Sequence, residues 1–178
     1  MLAIAAGAAW SVAAIRRPAL ATVACGAIVL GQAVACASIA PEHLAQLNAL
    51  AGGPAAAYTK LVDSNLDWGQ DLLRLRQWQS ARGGAPIGLA YFGSAPVSAY
   101  DVRVADWRSL LAGAHRPGDT FVISATYLQG IFLCGDPFAA LRAIAPSERI
   151  GYTLFAYALD RDEVAVALKD AARDPCAP

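Results

Sequence analysis

The first 41 residues contain no acidic side chain, and their only charged residues are Arg16 and Arg17. All 14 Asp and Glu lie at Glu42 or beyond, where they face 12 Lys and Arg. That balance excludes the basic face of a nucleic-acid binder and the polybasic patch of a membrane-surface protein. Histidine is nearly absent: His43 and His115 are the only two. They stand far apart without a partner motif, so each reads as a surface residue rather than a ligand or base. Neither a CxxC pair nor a Cys/His spacing suggests zinc. There is no Gly-x-Ser-x-Gly elbow, and Ser94 and Ser124 lack an identifiable base. No glycine loop of the Walker or dinucleotide type occurs, and Gly52-Gly53-Pro54 reads as a turn.

What fills the first 41 residues is apolar. The chain is 57% hydrophobic over its 178 residues, with a mean hydropathy of +0.41, and the excess is concentrated there. Residues 19–40 form a run of 22 with Gln32 as its only strongly polar member, and about 20 apolar residues cross a bilayer. Residues 1–15 are apolar but short for a span: a tilted helix, a re-entrant piece or the remnant of a longer helix. A cleaved signal sequence is the rival reading, with Arg16-Arg17-Pro18 as an internal n-region and Ala35-Cys36-Ala37 as a cleavage site. Signal peptides carry their charge before the apolar core, so a transmembrane hairpin fits better. By the positive-inside tendency the Arg16-Arg17 loop is cytoplasmic. Residues 41–178 then form an α/β domain on the periplasmic or extracellular side of the inner membrane. Cys25 and Cys36 sit in the second apolar run. Cys134 and Cys176 lie in the domain, where an oxidising compartment would let them pair or leave two thiols.

In the domain, the spacing predicts helices over 41–51, 68–81, 105–112, 137–145 and 162–173. Apolar, β-branched runs predict strands over 87–92, 120–127 and 150–159. Asp136 stands as an N-cap before Pro137. Strand-to-strand intervals of about 30 residues match right-handed crossover units. A small three-layer domain with a mainly parallel sheet is therefore expected. Ligands of such sheets bind beyond the carboxyl ends of the strands. Those ends are Phe92-Gly93-Ser94, Tyr127-Leu128-Gln129-Gly130 and Asp160-Arg161-Asp162.

The densest polar cluster runs from Asp63 through Ser64, Asn65, Asp67, Trp68 and Gln70 to Asp71. One reading is a helix start, with Asp67 and Gln70 as a capping box and Asp71 in the first turn. A second is calcium at Asp63, Asn65, Asp67 and Asp71, which fall at positions 1, 3, 5 and 9 of an EF-hand-like loop. It is disfavoured because Trp68 replaces the turn glycine and Arg74 the closing glutamate. A third is sugar contact, with carboxylates and amides on hydroxyls and the Trp68 indole under a ring.

The string Asp-Ser-Asn-Leu-Asp-Trp-Gly-Gln-Asp-Leu at 63–72, with 41–54, Ala90-Tyr91-Phe92-Gly93, 124–130 and Arg149-Ile150-Gly151-Tyr152, resembles the C-terminal region of bacterial family-39-type membrane glycosyltransferases. These are similar to protein O-mannosyltransferases and aminoarabinose transferases. The resemblance covers about residues 40–159. It departs at Gln46-Leu47-Asn48-Ala49, where an aromatic pair and an acidic residue are expected. It implies a many-pass enzyme using a polyprenyl-phosphate sugar, whose catalytic carboxylate lies in an early extracytoplasmic loop that this chain lacks. The chain then corresponds to the tail of such a transferase, partnered by membrane lipid and by the remaining membrane portion. Asp63, Asn65, Asp67, Trp68, Gln70, Asp71, Tyr91, Tyr127 and Gln129 are the candidate sugar-binding residues, with no cofactor and no assigned catalytic residue. The alternative is a non-catalytic, membrane-anchored module that binds glycan or protein.

Overall fold

The structure is a computed structural model and describes residues 18–112, 116, 118–174 and 177–178. The first apolar run, the Arg16-Arg17 loop, His115 and Cys176 lie outside these residues. The chain divides into two compact units, Met1–His43 and Leu44–Pro178.

In the first unit, helix α1 is Pro18–Ile39, a helix of 22 residues without acidic or basic residues in its end turns. At 1.5 Å per residue it is about 33 Å long, the thickness of a bilayer core. It is long and apolar enough to cross a membrane. Its hydroxyls are satisfied within the helix: Thr22 Oγ1 donates to Pro18 O at 3.1 Å and Ser38 Oγ to Ala35 O at 2.8 Å. Gln32 Nε2 donates to Cys36 Sγ at 3.6 Å, Cys25 is an exposed free thiol, and His43 is exposed.

The second unit is a mixed α/β domain. Its strands are β1 (Ile87–Ala90), β2 (Val104–Ala105), β3 (Thr120–Ser124), β4 (Glu148–Ile150) and β5 (Leu154–Ala158). They form one sheet in the order β2-β1-β3-β5-β4. β1 pairs in parallel with β2 and β3, whereas β5 is antiparallel to β3 and β4. The expected mainly parallel sheet is thus corrected to a mixed one. The error lies in 150–159, which reads as one apolar strand but contains a hairpin turn. The chain crosses over to the edge with β4, turns at Gly151-Tyr152-Thr153, and returns as β5 between β3 and β4.

Two local features make that turn. Gly151 has φ +64, a left-handed conformation that glycine adopts freely. Asp71 then reaches into the turn from 80 residues upstream in sequence. Its Oδ2 accepts from Tyr152 N at 2.9 Å, Thr153 N at 2.9 Å and Thr153 Oγ1 at 2.8 Å. A Cβ on Gly151 would overlap the Asp71 carboxyl group. Gly151→Ala is therefore expected to cost about 2–4 kcal/mol, from the αL penalty and from displacement of a buried carboxylate. Chemical denaturation of the full chain in detergent measures it.

The helices differ from expectation at their starts. Helix α2 is Leu72–Ala81, not 68–81; Leu72 and Leu75 are buried, while Trp68 lies ahead of the helix and is 58% exposed. The helix expected at 41–51 is two 3₁₀ turns, His43–Ala45 and Ala49–Ala51. Between them Asn48 is extended and its side chain accepts from Ala51 N at 2.9 Å, which starts the second turn afresh. Helix α3 is Trp107–Ala112, with the short edge strand β2 just before it. Asp106 starts it, accepting from Ser109 N at 3.0 Å. The strand expected to 127 stops at Ser124, and helix α4, Ala125–Leu128, follows at once. Helix α5 is only Ala139–Arg142. Asp136 does not cap it; its carboxylate pairs with Arg142. Helix α6, Asp162–Arg173, agrees with its expected bounds and buries Val164, Ala167, Leu168 and Ala171 on one face.

Strand β3 anchors the core. Phe121, Val122 and Ile123 are all fully buried. Phe121 packs with the rings of Trp107 and Phe138, while Val122 joins Leu72, Leu75, Ile87 and Leu154. Alternation along one strand thus serves two apolar clusters. Cys134 is disulfide-bonded, which removes the reading of two thiols; Cys176, the partner considered from the sequence, lies outside the described residues.

Candidate functional site

Because β1 and β3 are parallel, their carboxyl ends emerge side by side. β1 leads into Tyr91-Phe92-Gly93-Ser94, and β3 leads into α4, which carries Tyr127. Phe92 N donates to Ser124 Oγ at 3.0 Å and joins the two exits. The segment 62–71 lies over them, held by Asp63 N donating to Thr126 Oγ1 at 3.0 Å. Between these pieces is a cleft of about 350 Å³ lined by Asp63, Asp67, Trp68, Phe92, Gly93, Ser94 and Tyr127.

The segment is wound by its own side chains. Asp63 starts a 3₁₀ turn with φ +56, an uncommon left-handed backbone for a residue with a side chain. Asp67 Oδ1 accepts from Gly69 N at 2.9 Å. Gln70 Oε1 accepts from Trp68 N at 2.8 Å, while its Nε2 donates to Leu66 O at 2.7 Å. The expected capping box is therefore absent: Asp67 and Gln70 bond the loop before the helix instead of its first turn. The reason is Gly69, whose φ of +87 breaks the chain out of helix ahead of Leu72. With the helix delayed, Trp68 turns out to the cleft.

Asp67 and Asp71 are both buried, at 2% and 1% exposure, and they differ in support. Asp71 Oδ2 takes three hydrogen bonds from the hairpin turn, and Arg74 Nε lies 3.6 Å from Oδ1. Asp67 Oδ2 has no hydrogen-bond partner. The Thr153 hydroxyl lies near both carboxylates, 2.8 Å from Asp71 Oδ2, and has one proton to offer the two of them. Burial pushes the Asp67 carboxyl up to about 6; the Gly69 N–H opposes this, the Asp71 charge adds to it, and the Thr153 hydroxyl opposes it weakly. Tyr91 packs against Gly69 and Gly93. A Cβ on either Gly69 or Gly93 would overlap its hydroxyl, so two glycines make the room it occupies. That hydroxyl is buried without a partner. Burial, followed by the charges of Asp67 and Tyr100, pushes it to about 12.

The cleft wall is aromatic. Phe92 meets Tyr127 edge to face at 5.7 Å between centroids and stacks on Phe132 at 5.4 Å. Phe132 is 66% exposed with φ +63. Sequence reading missed it because nothing local marks a residue 40 positions from Phe92 as its stacking partner.

Of the nine candidate residues, Asp63, Asp67, Trp68 and Tyr127 line the cleft. Gln70 bonds within the loop that carries Trp68, and Tyr91 lines a different depression, with Leu89, Val97 and Val102. Asp71 belongs to the hairpin clamp, and Asn65 is exposed outside the lining. Gln129 faces another depression, with Tyr58, Arg142 and Tyr157. The four residues of the calcium reading do not converge, since Asp71 is committed to the turn. Among the described residues no group of three or more His, Cys, Asp or Glu is placed to hold a metal ion. Asp160-Arg161-Asp162 follows the reversed strand β5 and lies at the opposite end of the sheet. Arg161 there donates to Ala145 O at 2.7 Å and to Glu163 Oε1 at 2.8 Å. No family model, curated protein or solved structure matches this chain.

Proposed function

We propose that this chain is the C-terminal extracytoplasmic portion of a polyprenyl-phosphate-sugar-dependent membrane glycosyltransferase, and that its cleft holds a sugar of the donor or acceptor. One observation carries the sugar reading: Asp63 and Asp67 share a single cleft with the rings of Trp68, Phe92 and Tyr127. Carboxylates accept from sugar hydroxyls, and flat rings cover the apolar face of a pyranose. The placement beyond parallel strand ends follows the general rule for such sheets. The transferase parentage rests on the 63–72 string, and the far-side location on the Arg16-Arg17 pair before α1. In this reading the domain has three layers, with α2 on one face of the sheet and α3, α5 and α6 on the other. The cleft is assigned binding rather than turnover, since the family's catalytic carboxylate is expected in another loop.

The test is a titration of the full chain in detergent with mono- and oligosaccharides, followed by Trp fluorescence and calorimetry. A saturable signal is expected, weakened roughly tenfold in Trp68→Ala, consistent with an aromatic contact of 1–2 kcal/mol. Absence of both heat and fluorescence change would remove the sugar reading.

A further inference from the structure

We infer that the domain carries a binding site for a small carboxylic acid, in a depression between the second half of α2 and the segments that lead into β1 and β2. It lies at the amino ends of these strands, away from the aromatic cleft, and does not rest on the sugar reading. The depression measures about 520 Å³, and Arg76, Asp101 and Arg103 line it together with Ser80, Ser98 and Gly84. Contacts among these residues place the charged ends there. Arg76 Nη2 is 3.5 Å from Asp101 Oδ2, and Arg103 Nη1 donates to Gly84 O at 3.2 Å. Two guanidinium groups against one carboxylate leave one positive charge in the lining. No ion pair among the described residues engages Arg103.

The wall that carries Arg103 is fixed from within. Gln79 is 3% exposed. Its Nε2 donates to Ala85 O at 2.9 Å and to Arg103 O at 2.7 Å, and its Oε1 accepts from Arg103 N at 2.9 Å. One buried amide thus holds both backbone groups of Arg103 and sets where its side chain starts. A cation placed in advance loses less freedom on binding. The hydroxyls of Ser80 and Ser98 bond no described residue, so both have a proton to donate. A carboxylate matches this set. Its two oxygens fit the guanidinium fork, and its single charge balances the lining. A cation would meet two guanidinium groups, a neutral ligand would leave Arg103 unneutralised, and a dianion would exceed the charge supplied.

Arginine Nε–H resonances of the full chain in nonionic detergent, followed by NMR at pH 7, test this with four probes: acetate, acetamide, chloride and inorganic phosphate. Arg76 and Asp101 are 48% and 79% exposed, so solvent weakens each contact, and a Kd for acetate of about 1 mM is expected. Acetate should shift the Arg76 and Arg103 resonances along one saturable curve. Acetamide, of the same shape without the charge, should not, and chloride should give only a small, unsaturable drift. Arg103→Met keeps the apolar stem and is expected to weaken acetate at least tenfold, read on Arg76. Asp101→Asn frees Arg76 and is expected to tighten acetate about threefold. Circular dichroism verifies the fold of each variant, and Ser98→Ala, expected to weaken acetate about threefold, gives a reading in which no charge is removed. Unchanged acetate affinity in Arg103→Met, or a response to chloride equal to that of acetate, would overturn the inference. Phosphate binding more tightly than acetate would overturn the assignment to carboxylates. None of these results bears on the sugar titration, so the two readings stand or fall separately.

Discussion

Replacing Asp71 by Ala is expected to destabilise the domain by about 4 kcal/mol, a fall of roughly 10–15 °C in Tm. The substitution leaves Tyr152 N, Thr153 N and Thr153 Oγ1 without their acceptor. Thr153 is fully buried, so water does not readily replace the lost oxygen. Unsatisfied buried donors cost about 1–3 kcal/mol each, and relief of the desolvated Asp71 charge offsets part of the total. Asp71→Asn keeps an acceptor oxygen at the same place and is expected to lose only about 1–2 kcal/mol. Denaturant titration of the full chain in detergent compares the two. A loss under about 1 kcal/mol for the Ala variant would mean that the turn holds without the clamp. The physical point is that Asp71 ties the start of α2 to the β4–β5 turn, which allows a reversed strand to enter an otherwise parallel arrangement.

The second large effect has the opposite sign. Asp67→Asn is expected to stabilise the domain at pH 7.5. The folded-state value of about 6 lies above the ordinary 3.8. The folded protein therefore holds a proton between those two values that the unfolded chain releases. Stability from this group is greatest below pH 4 and falls as pH rises through 6, where a buried, partnerless charge must be kept. The gap corresponds to about 3 kcal/mol, an upper limit for the gain. Asn keeps the acceptor for Gly69 N and carries no charge. The gain should therefore be full above pH 6 and vanish below pH 4. Tm values at pH 4 and pH 7.5 give the answer, and an equal gain at both would assign the effect to packing rather than charge. The sign follows from removing a buried charge that the fold only partly satisfies.

How much of this was legible in the chain differs by element. The apolar run behind α1 and the amphipathic α6 were legible because their signals are local and periodic. The strand cores of β1 and β3 were legible for the same reason, and a cleft does lie beyond their carboxyl ends. The cluster at 63–71 stood out by density alone, but its division of labour did not. Asp67 and Asp71, four residues apart, look alike in sequence. One faces a cleft and the other a hairpin more than 80 residues away, and only the partners decide which is which. Gln129 shows the converse. It follows the right strand, yet the short helix α4 turns it toward Arg142 and Tyr157 instead.

Local physics determined from the sequence that this protein has an apolar segment of bilayer length ahead of an α/β domain with an acidic, tryptophan-bearing loop. Hydropathy and periodicity need no knowledge of what lies opposite. The tertiary structure alone decided that the last apolar run folds back on itself, since Gly151 permits the turn but Asp71 stabilises it across the chain. It also decided that two carboxylates and three aromatic rings line one cleft, with no basic residue among its described lining residues. Such a cleft follows from long-range pairing of β1 with β3, and its charge is set by which side chains that pairing brings together.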